Sequence, residues 1–389
     1  MDLTAVLMRA VGLGASDVHL KVGQPPVVRK DGGLEPMQGV DPLADADLEA
    51  VLDEVTSGAA VRRQLFDTTG ELDIAFVRDD LPRFRVNGFR QRGAISFAFR
   101  AIPDRIPGFD ELHLPRGVAR LAREQRGLVL VTGATGSGKT TTLAAMLDEI
   151  NRTRRQHIVT IEDPIEVLHH DQGCIVSQRE IGLDTESFGQ ALRRVLRQDP
   201  DVILIGELRD ADTAQVALQA AESGHLVFST MHTLDAAETV GRMVELFPHE
   251  KHAQVVSILA GVLRGVVSQR LLPRLGGGRI PAVEVMVTNA RIAELIRERR
   301  TDRIPAAIAD GEFFEMQTFS SALIDLVLQD LVEREAAANA ATNRHDFEIA
   351  LEHAEKATRV AGESQESPPA PGVASPPDAD EPALRLAAS

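Results

Sequence analysis

The stretch Gly133-Ala134-Thr135-Gly136-Ser137-Gly138-Lys139-Thr140 decides the fold. It has the G-x-x-x-x-G-K-T spacing of a phosphate-binding loop, and its flanks are those the loop needs. Leu128-Val129-Leu130-Val131-Thr132 before it is a short apolar run of buried-strand type. Thr141 to Ile150 after it carries Leu143, Met146, Leu147 and Ile150 on one helical face. Glycines reach φ > 0 and let the backbone approach phosphates closely. The loop N–H groups and the helix N-terminus then offer partial positive charge to an anion. Lys139 adds a full charge, and the Thr140 hydroxyl is placed to ligate Mg²⁺. Gly133, Ala134, Thr135, Gly136, Ser137, Gly138, Lys139, Thr140 and Thr141 are the candidate nucleotide-binding residues.

Further apolar strands are expected at Ile158–Ile161, Val202–Ile205 and Leu226–Ser229, with helical segments among them. That alternation predicts an α/β fold with a mainly parallel sheet and helices on both faces. Ligands of such sheets bind outside the C-terminal strand ends. Glu162-Asp163-Pro164-Ile165-Glu166 follows one strand and Glu207 follows the next, while the last runs from His225 to His232. ATP hydrolysis needs Mg²⁺ on the phosphates, a positioned water and a sink for developing charge. Glu207 is a candidate to orient Mg²⁺ or its water. Glu162, Asp163 and Glu166 are candidates for the water or metal shell. His232 is a candidate to polarise the terminal phosphate, and His225 belongs to the same strand. Bland readings stand beside these. Asp163 before Pro164 also suits a turn, and Glu207-Leu208-Arg209-Asp210 suits a capped helix start. His225 and His232 also suit core or cap positions. His249-Glu250-Lys251-His252 lacks zinc-site spacing and reads as a solvated helix start after Pro248.

Upstream, Asp17–Val22 and Val27–Arg29 read as a hairpin around Gln24-Pro25-Pro26, followed by a turn at Asp31-Gly32-Gly33. Asp45–Val55 reads as a helix, and Leu72–Val77, Arg83–Gln91 and Ala94–Arg100 as strands of a meander. Residues 83–105 hold six arginines against one acid, Asp104. Such a run suits a solvated strand face or a phosphate-reaching surface equally. Ile102-Pro103 and Ile106-Pro107-Gly108 form a stiff linker. Ile292–Leu331 is helical and amphipathic with Gly311 as a break, and the Pro/Ala/Ser-rich acidic tail reads as disordered.

A chain of 389 residues, 43% hydrophobic and 26% charged, has the composition of a soluble globular protein of two or three domains. No apolar run is long enough to span a bilayer, and the N-terminus does not read as a signal peptide, so a cytoplasmic protein is expected. One cysteine, Cys174, excludes an internal disulfide and a cysteine-rich zinc site; its apolar neighbours suggest a buried strand and an inert thiol. A net charge of -16 and the lack of Trp and Tyr argue against a nucleic-acid-dependent RecA-like ATPase, the reading from a different class.

Together these residues resemble the secretion ATPase superfamily, and within it the PilT-type pilus retraction motors, over residues 3 to about 350. Ala15-Ser16-Asp17-Val18-His19-Leu20 resembles the family's opening motif, and Arg85–Gly93 the end of its PAS-like domain. Gly133–Thr142 looks like its Walker A loop, and Thr160–Glu166 like its Asp box. Ile205–Asp210 looks like its Walker B, and Gly224–Thr233 like its His box. The resemblance implies a PAS-like domain at 1–101, a linker at 102–111, a RecA-like P-loop ATPase core at 112–290, C-terminal helices at 291–360 and a disordered tail at 361–389. It implies ATP and Mg²⁺ as ligands, with Thr140 and Glu207 holding the metal. It further implies a homohexamer acting on an inner-membrane pilus platform protein, with no nucleic acid as partner, peripherally at the inner face of the cytoplasmic membrane. Nucleotide would lie between the N-terminal domain of one subunit and the ATPase core of another, making Arg85, Arg92 and Arg100 candidate arginine fingers. Pilus-assembly and type II secretion ATPases of the superfamily usually carry four cysteines and a further N-terminal domain, which favours the retraction branch here. The family's A-I-R-N-L-I-R-E helix is matched by Arg291–Glu298, with Ala293 in place of its first Arg.

Overall fold

The computed structural model describes residues 1–30, 33–102 and 105–365, with side chains through residue 357. The turn at Asp31-Gly32, Pro103 and Asp104 of the linker region, and the tail from residue 366 lie outside the described residues.

The N-terminal sheet is built from β1 (Asp17–Lys21), β2 (Val27–Lys30), β3 (Gly33–Pro36), β4 (Glu71–Arg78), β5 (Leu81–Gln91) and β6 (Ala94–Ala101). Its order is β3-β2-β1-β6-β5-β4, antiparallel throughout. Strand alternation sends Phe84, Val86, Phe97 and Phe99 to one face. There they meet Leu3 and Leu7 of α1 (Leu3–Gly12), Leu48 and Leu52 of α2 (Asp45–Val55), and Phe66 of α3 (Ala60–Thr69). The same alternation leaves Arg83, Arg85 and Asn87 of β5 on the opposite face. Cross-strand register then sets Arg85 opposite Arg100, and Arg100 opposite Asp17. Arg83, Arg85 and Arg100 are therefore on the face away from the core, whereas Arg90 of the same run is on the core side, over the Phe66 ring. Helices α1 and α3 escape the sequence reading; α3 buries only Phe66 and so shows little periodicity.

After α4 (Arg116–Ala122) the chain builds a seven-stranded sheet. Its strands are β7 (Gly127–Thr132), β8 (His157–Glu162), β9 (Ile175–Glu180), β10 (Val202–Ile205), β11 (Leu226–Met231), β12 (Leu263–Pro273) and β13 (Arg279–Val287). The order is β13-β12-β7-β11-β10-β8-β9, parallel except for β13. Every residue of β7, β10 and β11 is buried, which explains their continuous apolar sequences. The helices are α5 (Lys139–Thr153), α6 (Phe188–Val195), α7 (Ala211–Glu222), α8 (Ala236–Glu245) and α9 (His252–Val262). Asp210 caps α7 and Asp235 caps α8, each accepting a backbone N–H of the first turn. Leu143, Met146, Leu147 and Ile150 of α5 are buried in the core formed with β7.

Four strands of this sheet are those expected from apolar runs. The hairpin β12–β13 is an addition, and the strand expected around Cys174 is the edge strand β9, exposed or half-buried over most of its length. Cys174 is buried but lies just before β9, whose first residue, Ile175, is exposed. Burial pushes the Cys174 thiol above its usual range. The C-terminal helices do not separate at residue 291. Ile292 and Ile296 of α10 (Ala290–Arg297) and Ile308 of α11 (Ile304–Ala309) join the core of the large sheet. Only α12 (Phe319–Leu328), α13 (Arg334–Ala340) and α14 (Arg344–Gln365) form a separate cluster, closed over Leu272, Ile280 and Ala282 of β12–β13.

Candidate active site

The Gly133–Thr140 loop joins the end of β7 to the start of α5, with Gly138 in the left-handed region at φ 91 as the N-cap. Gly133 has φ 139, and a Cβ there would meet Ser137 Oγ at 2.6 Å and also the backbone oxygen of Gln269. The loop is thus compressed against β12 at a point only glycine can occupy. Ser137 Oγ is buried without a hydrogen-bond partner among the described residues. Lys139 Nζ donates to the carbonyls of Gly133 (2.7 Å) and Ala134 (3.0 Å). Burial lowers its pKa, opposed by the charges of Glu207 and Glu166. An orphan hydroxyl, a buried ammonium and a helix N-terminus around one loop fit a bound phosphate chain.

The carboxylates arrive from neighbouring strand ends. Glu207 follows β10, pairs with Arg209, and accepts from His232 Nε2 at 3.3 Å. A carboxylate can only accept, so Nε2 of His232 carries the proton. Glu162 at the end of β8 is buried, which pushes its pKa up. It accepts from Thr160 Oγ1 (2.6 Å) and Gln178 Nε2 (3.1 Å). Glu166 is exposed and faces Arg85 Nη1 at 3.7 Å. Asp163 is exposed and its carboxylate makes no hydrogen bond among the described residues.

A cavity of about 310 Å³ opens beside the start of α5. Thr140, Thr141 and Glu166 line one side, and Arg85, Arg100 and the linker residue Arg105 the other. Arg100 also pairs with Asp17 at 2.8 Å. Burial raises the Asp17 pKa, but the Ser16 and Arg100 hydrogen bonds outweigh it and hold it low. The wall opposite Thr140 is formed in this chain by its N-terminal domain. A short linker and the buried Arg83–Glu180 ion pair (2.8 Å) hold that domain in place.

Two expected site residues are not brought here. His225 precedes β11 and so sits at the N-terminal end of the parallel sheet, about 20 Å along the strand from the phosphate loop. Its Nδ1 lies 3.0 Å from both the Ala220 carbonyl and Ser223 Oγ, closing the end of α7. Arg92 lies in the β5–β6 turn at φ 50, seven residues beyond Arg85 and about 23 Å along the strand.

Two glutamines escaped the sequence reading. Gln178 on β9 also donates to the Val167 carbonyl (2.8 Å) and accepts from His169 N–H (2.8 Å), fixing the Glu162–Glu166 segment. Gln269 on β12 donates to Thr142 Oγ1 at 2.9 Å and is buried. Both sit on strands that carry no apolar-run signal, so only the sheet order exposes their role.

A glycine loop between strand and helix, with a carboxylate at the end of the next strand but one, defines a P-loop nucleotide triphosphatase fold with an attached N-terminal domain. Residues 108–361 match the family model described as Type II/IV secretion system protein. The chain belongs to that family. It is 44% identical over 347 residues, 89% of this chain and 100% of the relative, to the "Type IV pilus retractation ATPase PilT" of Pseudomonas aeruginosa. It is 42% identical over 320 residues, 82% of this chain and 84% of the relative, to the "Twitching motility protein" of Neisseria gonorrhoeae. A crystal structure of the pilus retraction motor PilT with bound ADP superposes with TM-score 0.84 at 41% identity, covering 90% of this chain and 99% of that one. The two-domain α/β architecture with C-terminal helices expected from the resemblance is the architecture observed. Among the described residues no helix is long and apolar enough to cross a membrane.

Proposed function

We propose that this chain is a homohexameric ATPase motor that hydrolyses ATP to power type IV pilus retraction. It acts on an inner-membrane platform protein from the inner face of the cytoplasmic membrane. The observation that supports this most is that the likeness to the retraction ATPase runs the full length of that relative. Both walls of the cleft are included in it.

In this reading the loop N–H groups, Ser137 and Lys139 hold the phosphates of ATP. Thr140 and Glu207 hold Mg²⁺, which neutralises phosphate charge when bound. Glu162 and Glu166 orient the attacking water, and His232 holds the Glu207 carboxylate in place. Arg85 and Arg100 face the loop from the N-terminal domain and stabilise charge developing on the transferred phosphoryl group. Nucleotide binding draws the arginine face toward Thr140, and release after hydrolysis lets it move away. That cycle moves one domain against the other.

A deletion strain tests the direction of movement. Excess surface pili and lost twitching are the expected phenotype. Bare cells would reassign the chain to pilus assembly or secretion.

A further inference from the structure

A second cavity, of about 520 Å³, lies at the other end of β7, about 20 Å along the strand from the phosphate loop. Arg120, Arg123, Glu124, Arg126, Arg264 and Thr288 line it. Four guanidinium groups against one carboxylate leave a local charge of +3 (4 − 1) in a chain of net charge -16.

The cavity is built rather than incidental. Arg264 is fixed by the Arg126 carbonyl on Nε (3.0 Å) and the Gly261 carbonyl on Nη1 (3.3 Å), with Glu124 at 3.9 Å. Gly127 has φ 110, and a Cβ there would lie 2.8 Å from Arg264 Nε. Only glycine lets that side chain cross the start of β7. Arg120 lies over the Phe314 ring at 5.9 Å. Arg120, Arg123 and Arg126 have no carboxylate partner among the described residues. Thr288 Oγ1 in the wall is buried without a hydrogen-bond partner among the described residues.

Guanidinium forks match phosphate oxygens in bidentate geometry, and a hydroxyl supplies a further donor. The site is an open, polar depression whose guanidinium groups reach solvent. We propose that this cavity binds a phosphorylated ligand, at a second anion site separate from Gly133–Thr140. A free phosphate compound and a phospholipid headgroup share that chemistry.

The test titrates the full-length Lys139→Ala chain, impaired at the loop, with pyrophosphate by calorimetry. One binding site is expected. Combining Arg123→Glu and Arg126→Glu should weaken it at least about tenfold, since each charge-assisted contact is worth about that factor. The same two substitutions in the otherwise native chain should leave ATP hydrolysis intact, which checks the fold. If the charge reversals unfold the chain, Arg123→Gln with Arg126→Gln carries the same test. Vesicles of phosphatidylglycerol and of phosphatidylcholine form the second arm. Arginine-dependent pyrophosphate binding assigns a free phosphate compound. Arginine-dependent sedimentation with phosphatidylglycerol alone, without pyrophosphate binding, assigns a headgroup. Neither binding, or binding indifferent to both arginine substitutions, overturns the proposal.

Discussion

Arg83 of β5 donates to the Glu180 carboxylate of β9 at 2.8 Å, across the boundary between the two sheets. Their side chains are 11% and 4% exposed. The same Glu180 oxygen accepts the Ile165 N–H at 3.2 Å, inside the segment that carries Glu162 and Glu166. One carboxylate thus ties the N-terminal domain to the site's acidic loop. Glu180→Gln leaves a buried guanidinium without its counter-charge and should cost about 3–5 kcal/mol in chemical denaturation. Replacing both partners by leucine should recover most of that loss. A Glu180→Gln chain as stable as the native one would show that the ion pair does not hold the domains.

Lys139→Ala removes the buried ammonium from the phosphate loop and should abolish nucleotide binding in a fluorescent-nucleotide titration. Glu207→Ala should bind ATP yet hydrolyse it about 10²–10⁴-fold more slowly, the range expected when a positioned catalytic group is lost. Full turnover by the Glu207→Ala chain in a phosphate-release assay would remove Glu207 from the mechanism.

Arg85 lines the cavity of its own chain, so its contribution should act within one subunit. Arg85→Ala should lower hydrolysis by a factor of about 10–10³, the loss typical of one transition-state contact. Mixed assemblies of Arg85→Ala and Glu207→Ala chains should then stay inactive, because neither chain has a complete site. Recovery of activity on mixing would mean that the arginine serves a neighbouring subunit. Arg92→Ala, at the remote turn, should leave hydrolysis unchanged.

The two histidines of the last apolar strand should separate in kinetics. His232→Ala removes the donor to Glu207 and should reduce kcat with little change in KM. His225→Ala acts at the far end of the sheet and should change thermal stability alone. Equal kinetic losses in both variants would contradict this placement.

Glu284 of β13 is buried and accepts the Ala236 N–H at 2.9 Å, facing Asp235 and Arg270. Burial pushes its pKa from 4.5 to about 7, with Asp235 adding to the rise and Arg270 opposing it. Between these values the unfolded chain releases a proton that the folded chain keeps. Stability contributed at this position is therefore full below pH 4.5 and declines as pH rises to about 7. Glu284→Gln should gain on the native chain across that window, by up to about 3 kcal/mol, in melts from pH 5 to 8. A pH-independent difference would place the ionisation of Glu284 elsewhere.

The phosphate loop and the strands at β7, β8, β10 and β11 were legible in the sequence because buried parallel strands are continuously apolar. A glycine loop between such a strand and a helix also has few other uses. The strand-end positions of Glu207, Glu162 and His232 followed for the same reason, since each ends or closely follows one of those strands. Strands β9 and β12–β13 are mixed in polarity, so their glutamines and Glu180 gave no periodic signal.

Local spacing by itself determined the chemistry of the loop and the class of fold around it. It set His225 at the start of its strand and His232 past the end, but only the parallel sheet puts that start about 20 Å from the phosphate loop. Nor could it say which face of β5 Arg83 and Arg85 occupy or what that face meets within the chain. Those are matters of register and domain packing. The aromatic face of the N-terminal sheet must be buried, so the arginine face turns outward, and Arg83–Glu180 with the short linker presents it to the chain's own phosphate loop.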